Sequence, residues 1–255
     1  MVYIRQKFMA LLHEWEAQGN WLFKRRGQMP VLLFIFAVPA VLLANYAMIP
    51  PQKAEIFSVT SIVLSLLGAF IRAYTIGTTP KGTSGRNTDK QVAEQLNSTG
   101  IYSIVRHPLY LGNFFMWIGI VVYTLNPGFV VIVCLLYWIY YERIMFAEER
   151  FLEKQFGQTY LEWSMKAPAF FPRLSGFIAP SVKFSIISVL RREYSGWLAT
   201  VIGFVFVHLL REYSVRKQFE NYSNALLILA VTIVITLILR TLKHQTRLLQ
   251  EEGRS

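Results

Sequence analysis

The sequence predicts an all-α integral membrane protein, a helical bundle of about six transmembrane helices with a tight helical hairpin and an N-terminal interfacial helix. Three observations predict it. Hydrophobic residues make up 54% of the 255 positions and charged residues 16%, an apolar excess over ordinary soluble domains. Apolar windows of roughly spanning length recur along the chain. The basic residues fall between those windows and not in one patch.

Each element can be justified in order. Within residues 1–29, Ile4, Phe8, Leu11, Leu12 and Trp15 recur at helical spacing opposite Arg5, Lys7 and Glu14, a pattern suited to a helix in the membrane interface. The same stretch lacks the order of basic region, short apolar run and small-residue cleavage site of a signal peptide. Spans follow at Val31 to Ile49 and Ile56 to Gly77. Residues 78–88, "TTPKGTSGRNT", read as a loop, Asp89 to Asn97 as a short polar helix, and Ser98 to Gly100 as a turn. Leu109 to Leu125 and Gly128 to Phe146 are separated only by Asn126-Pro127, which makes them the hairpin. The second of these continues through "YYERIMFAEERFLEKQFG" to Gly157, a helix stop. Beyond it, "QTYLEWSMKAPAFFP" gives a short amphipathic helix broken by Pro168 and Pro172. Two further spans, around Trp197 to Leu210 and Ala225 to Leu239, divide the chain into the interfacial helix 1–29, a membrane core 30–172 and a C-terminal extension 173–255.

The net charge of +11 would suit nucleic acid only if it lay on one folded soluble face, so no nucleic-acid partner is expected. Its distribution instead sets a topology. With both termini cytoplasmic, segments 1–29, 78–108, 147–194 and 240–255 hold 20 of the 26 Lys and Arg, whereas segments 50–55, 126–127 and 211–223 hold 4. Arg72 and Arg143 lie inside spans. That is a strong positive-inside bias and predicts that the long polar loops face the cytoplasm. Cys134, the single cysteine, lies inside a span, so neither a disulfide framework nor a thiolate metal site of the usual spacing is available, and no metal is expected.

Residues 100–113, "GIYSIVRHPLYLGN", place Arg106 and His107 before Pro108, the residue best tolerated in a first helical turn. Such a helix start attracts anions. Arg106, His107, Glu142, Arg143, Glu148 and Glu149 all fall at the cytoplasmic ends of the two hairpin spans, so they should lie close together. Ionisable groups at membrane depth are costly unless they pair or serve a site. Singly, each has a plain alternative: the arginines snorkel to phosphates, the glutamates pair with Arg150 and Lys154, and His107 caps a helix. Clustering favours a site. Arg72, one turn before the loop at Gly77, would reach the same region. Arg86 and Asn87 are either headgroup contacts or part of a solvated turn.

Taken together, "GIYSIVRHPLYLGN", the hairpin, "AEERFLEKQFGQTYLEW" and "APAFFP" resemble the shared core of the isoprenylcysteine carboxyl methyltransferase and phospholipid N-methyltransferase superfamily. The resemblance covers residues 100–172. It implies S-adenosylmethionine (SAM) as cofactor, held at the cytoplasmic face, with Tyr102, His107, Pro108, Tyr110, Leu111 and Gly112 lining its pocket. Glu148 and Glu149 would bind its ribose or amino group, and Arg106 or Arg143 would orient its carboxylate or the nucleophile. No G-x-G-x-x-G unit is present, so helix ends would hold the cofactor.

Methyl transfer from a sulfonium is an in-line displacement that loses charge and benefits from a dry, preorganised site. An anionic oxygen needs no general base, whereas an amine must first shed a proton. Several arginines beside one histidine favour the oxygen, positioned by Arg72, Arg86, Arg106 or Arg143. The acceptors that follow are a prenylated cysteine carboxylate, a phosphoryl group of the lipid A kind, or a phospholipid amine, reached within the bilayer of a bacterial inner membrane. Sterol reductases that use NADPH share an R-H-P-x-Y segment and form the rival reading, although Glu148-Glu149 and Phe156-Gly157 fit the methyltransferase pattern better. A non-enzymatic membrane scaffold is the third.

Overall fold

The computed structural model describes residues 10–27, 29–83, 93–218 and 222–254. Arg86 and Asn87, with the start of the expected polar helix, lie outside the described residues, as do Ile4 and Phe8. The helices are α1 (Ala10–Lys24), α2 (Met29–Leu42), α3 (Pro51–Gly77), α4 (Pro108–Val122), α5 (Pro127–Phe156), α6 (Gln158–Ser164), α7 (Ile186–Arg216) and α8 (Ser223–Gln245).

Four of them, α3, α5, α7 and α8, are long and apolar enough to cross a membrane. At 1.5 Å per residue, the 23 residues of α8 reach about 34 Å and the 31 of α7 about 46 Å, against a hydrocarbon core of about 30 Å. The other two apolar helices, Val31–Leu42 and Pro108–Val122, are shorter. The first stops early because the chain turns after Leu42 and forms a 3-10 turn at Tyr46–Met48. The second can be short because α3, α5 and α7 pack around it, burying Tyr110, Leu111, Met116, Ile118, Ile120 and Val121. Many exposed side chains on the long helices are apolar, as at Ile62, Leu66 and Phe70 of α3 and Leu227, Val231 and Val234 of α8.

Helix starts follow local chemistry. Proline opens α3, α4 and α5, where a missing N–H costs nothing. In the hairpin, Asn126 caps α5 by accepting from Phe129 N at 3.1 Å, and its amide donates to Ala40 O at 2.9 Å. Ser185 caps α7 through Ser188 N at 3.0 Å. Gly157 ends α5 with φ +55°, a conformation that glycine adopts at little cost. Part of the expected polar helix does not form: residues 93–97 are an open bend, because the Glu94 and Gln95 amides both donate to Gly82 O, at 2.7 and 3.2 Å.

Two contacts set the frame of the site. Helices α3 and α4 interlock through small residues. A Cβ at Gly68 would lie 2.4 Å from Gly112 O, and Ser65 Oγ donates to Met116 O at 2.9 Å. Helix α1 docks on the far half of α5 and is no isolated surface helix. Trp15 meets Phe146 edge-on at 5.8 Å, Glu16 pairs with Lys154, and a Cβ at Gly19 would lie 2.1 Å from Arg143 O.

Candidate functional site

The R-H-P segment is held from behind by the strap that follows α6. Arg106 N donates to Pro168 O at 2.8 Å and His107 N to Ala169 O at 3.2 Å, so these amides are satisfied outside any helix and α4 starts only at Pro108. Arg173 N continues the pairing to Ile104 O at 3.0 Å. Trp163 Nε1, donating to Tyr102 O at 3.0 Å, ties α6 to the turn at Ile101–Ser103.

Glu149 is the anchor of this end. Its Oε1 accepts from Arg106 Nε and from His107 Nε2, both at 2.9 Å, and its Oε2 accepts from Arg106 Nη2 at 3.0 Å. Arg106 Nη1 donates to the carbonyls of Ser164 and Ala167, each at 2.8 Å. All three guanidinium nitrogens are therefore spent on Glu149 and the strap. The other ring nitrogen of His107, Nδ1, faces Glu148 Oε2 at 3.5 Å. Because each ring nitrogen faces a carboxylate, the arrangement suits an imidazolium, whose two N–H groups both donate. Burial works against that charge, but the hydrogen bonds and charges of Glu148 and Glu149 outweigh it and raise the His107 pKa above its ordinary 6.5.

A second ion pair lies deeper in the bundle. Arg72 of α3 donates from Nε and Nη2 to the two carboxylate oxygens of Glu193 on α7, both at 2.7 Å. Its Nη1 donates to Asn113 Oδ1 on α4 at 2.6 Å, and Asn113 Nδ2 reaches the Tyr141 hydroxyl at 3.4 Å. Tyr141 stacks on Tyr137 at 4.1 Å and tilts against Tyr110 at 4.8 Å, while Tyr110 stacks on His107 at 5.7 Å. A continuous polar and aromatic chain thus joins Glu193 to Glu149.

One cavity of about 570 Å³ runs along this chain. At the charged end it is lined by Gln95, Asn97, Tyr102, Arg106, His107, Glu148 and Trp163; at the deep end by Arg72, Asn113, Met116, Trp117, Gly196 and Thr200.

Of the residues expected from the sequence, Arg72, Tyr102, Arg106, His107, Pro108, Tyr110 and Glu148 line this cavity. Glu149 stands behind the wall and holds two of its members. Leu111 belongs to an apolar cluster with Tyr137 and Ile144. Gly112 serves the helix contact: a Cβ there would lie 2.5 Å from Arg72 Cγ and 2.9 Å from Gly68 O. Arg143 is not brought to the site. Tyr141, Met145, Glu148 and Leu152 share one face of α5, and Arg143 points the other way, its guanidinium 3.7 Å over the Trp15 ring. Sequence reasoning missed Arg26, Asn113, Tyr141, Arg192 and Glu193. Asn113 carries a usable signal, an amide one turn inside an apolar helix; Glu193 falls in the segment 147–194, ahead of the span expected from Trp197, whereas α7 already begins at Ile186.

Residues 56–159 match the family model of phospholipid methyltransferases. That segment is similar to this family, and the relatives that follow support the superfamily that includes the isoprenylcysteine methyltransferases. The chain is 30% identical over 132 residues to the protein-S-isoprenylcysteine O-methyltransferase of Saccharomyces cerevisiae, covering 51% of this chain and 54% of the relative. It is 31% identical over 125 residues to the enzyme of the same name from Xenopus laevis, covering 47% and 42%. Similarity extends to the cobalt-zinc-cadmium resistance protein CzcN of Cupriavidus metallidurans, 34% identical over 110 residues and covering 43% and 48%. The chain thus spans about half the length of the curated relatives it matches. No solved structure matches it. Among the described residues, no three or more His, Cys, Asp or Glu gather to hold a metal ion. The phospholipid methyltransferase segment carries Arg72, Arg106, His107, Glu148 and Glu149, but ends before Trp163, the strap and α7.

Proposed function

We propose that this integral membrane protein transfers the methyl group of SAM to a lipid or lipidated acceptor, and that the receiving atom is an anionic oxygen. One observation carries the reading: a single cavity connects the Arg106-His107-Glu148 end to Arg72 and Asn113 deep in the bundle. Its volume, about 570 Å³, falls in the range of small-molecule sites, roughly 300 to 1,000 Å³. The lining fits the donor's chemistry. Glu148 offers a carboxylate to an amine or ribose hydroxyl, Gln95 and Asn97 offer amides, and Tyr102, Tyr110 and Trp163 offer aromatic faces to a purine and a sulfonium.

SAM supplies an electrophilic methyl group. The chain's task is to hold an acceptor in line and keep water out. An anionic oxygen needs no base here: its lone pair forms the new C–O bond as the C–S bond breaks and the bonding pair stays on sulfur. Arg26 and Arg192 on the cavity wall, beside the Arg72 that Glu193 and Asn113 hold, favour an anionic acceptor, such as a lipid phosphate of the lipid A kind or a prenylcysteine carboxylate. The bias of 20 basic residues against 4 supports an inner-membrane protein with termini and donor site on the cytoplasmic side.

The test is to add methyl-labelled SAM to membranes with and without the protein. Label in a phosphate ester or a base-labile carboxyl ester supports the reading; label on an amine overturns the oxygen assignment. Purified protein that binds NADPH and not SAM overturns the methyltransferase itself.

A further inference from the structure

Helix α7 lies outside the segment that matches the methyltransferase family, yet its Glu193 reaches the wall of the same cavity. The Glu193 side chain is fully buried, and its carboxylate grips the Arg72 guanidinium edge to edge, both contacts at 2.7 Å. A fork of this kind fixes the plane of the guanidinium as well as its place. That plane is what directs Arg72 Nη1 onto Asn113 Oδ1 at 2.6 Å. Both Arg72 and Asn113 line the deep half of the cavity, together with Met116, Trp117 and Ala199. Space is left beside the pair by Gly196: a Cβ there would meet only Glu193 Oε2 at 3.8 Å and Met116 Cε at 4.0 Å.

We propose that Glu193 is a positioning residue for methyl transfer, contributed by the C-terminal extension, that holds Arg72 and Asn113 facing the reacting group of the lipidic acceptor. This rests on the methyltransferase reading above. The hydrogen bonds that fix Arg106 and His107 run to Glu149 of α5 and to the strap, so donor binding should be insensitive to Glu193. Acceptor placement should depend on it. The design at the deep end parallels that at the charged end: an acid behind the wall, Glu193 or Glu149, locks an arginine on it, Arg72 or Arg106.

The experiment uses the full chain in detergent with methyl-labelled SAM. Vesicles containing lipid A, vesicles of phosphatidylethanolamine, and a farnesylcysteine analogue serve as acceptors. The variants are E193Q, E193D and the neutral double variant R72Q/E193Q, which avoids leaving a buried charge unpaired. The expected result is SAM affinity within about twofold of wild type in all three, with transfer to the accepted substrate falling by about 10-fold in E193Q and about 100-fold in R72Q/E193Q, because misplacement of a reacting group by an ångström costs on that order. The loss should appear in acceptor KM and kcat, and E193D should recover part of it. A pair that merely joins α3 to α7 would lower the melting temperature and leave acceptor KM unchanged, and that outcome overturns the proposal. So does transfer by R72Q/E193Q within about threefold of wild type. Wild-type protein that neither binds SAM nor transfers its methyl group overturns the methyltransferase reading, and the role of Glu193 with it.

Discussion

Arg106 holds Glu149 through two parallel hydrogen bonds, Nε to Oε1 at 2.9 Å and Nη2 to Oε2 at 3.0 Å, while its third nitrogen holds the strap at Ser164 and Ala167. One guanidinium thus links α5, α6 and the start of α4. Replacing the carboxylate by an amide, E149Q, sets an N–H group against a donor of Arg106 or His107. Leaving such a buried donor unpaired costs about 1 to 3 kcal/mol. E149Q should therefore melt several degrees below wild type and lose most of its SAM uptake, both measurable on purified protein. Unchanged uptake would remove Glu149 from the support of the site. Arg106→Lys should behave similarly, because an ammonium cannot reproduce the fork.

His107 predicts a pH dependence whose sign follows from its surroundings. Burial disfavours the imidazolium, but Glu148 and Glu149 raise the folded pKa above the ordinary 6.5. A group with a raised folded pKa contributes stability that is complete below its unfolded value and is lost as pH rises through the folded one. The melting temperature of wild type should thus decline as pH rises above the ordinary 6.5 and through the raised folded value, and H107Q should flatten that decline. A wild-type profile matching that of H107Q across the window would show that His107 is not the titrating group.

Arg143 tests helical phase. It stacks over Trp15 on the α1 side of α5, whereas Glu148 faces the cavity. R143A should lower stability by about 0.5 to 2 kcal/mol, the range of a partly desolvated cation–π contact, and leave methyl transfer within about threefold of wild type. Loss of transfer with an unchanged melting temperature would return Arg143 to the site.

What the sequence makes legible here follows from the range of each interaction. Span length and apolar periodicity are local, so α3, α5, α7 and α8 can be placed from hydropathy, as can the Asn126-Pro127 hairpin. The motif cluster is legible for a related reason: a short link, residues 123–126, makes α4 and α5 antiparallel neighbours, so the start of α4 lies against the later half of α5 and His107 meets Glu148 and Glu149. Arg143 separates from that cluster by phase, which charge alone does not reveal. Glu193 is the opposite case. Its partner Arg72 lies 121 positions away, and only the packing of α7 on α3 creates the pair. The bend at 93–97 depends likewise on a distant carbonyl, Gly82 O, which no local propensity encodes.

Gly68 carries the last prediction, because the depth of the site depends on how closely α3 and α4 approach. A Cβ at Gly68 would lie 2.4 Å from Gly112 O and 2.6 Å from Met116 N, both backbone atoms that cannot swing aside. At Gly112 the nearest atom is Arg72 Cγ at 2.5 Å, in the side chain held by Glu193, and the backbone atom Gly68 O follows at 2.9 Å, a looser clash than the two backbone contacts at Gly68. The two substitutions should therefore fail differently. G68A has to push the helices apart and should cost about 1 to 3 kcal/mol or more, seen as a lower melting temperature and poor yield from membranes. G112A should keep more of its stability and lose transfer instead, because relief of the clash moves Arg72 off Asn113. Equal melting temperatures for G68A and wild type would mean that α3 and α4 do not pack backbone to backbone at this level, and the placement of Arg72 over Asn113 would go with it.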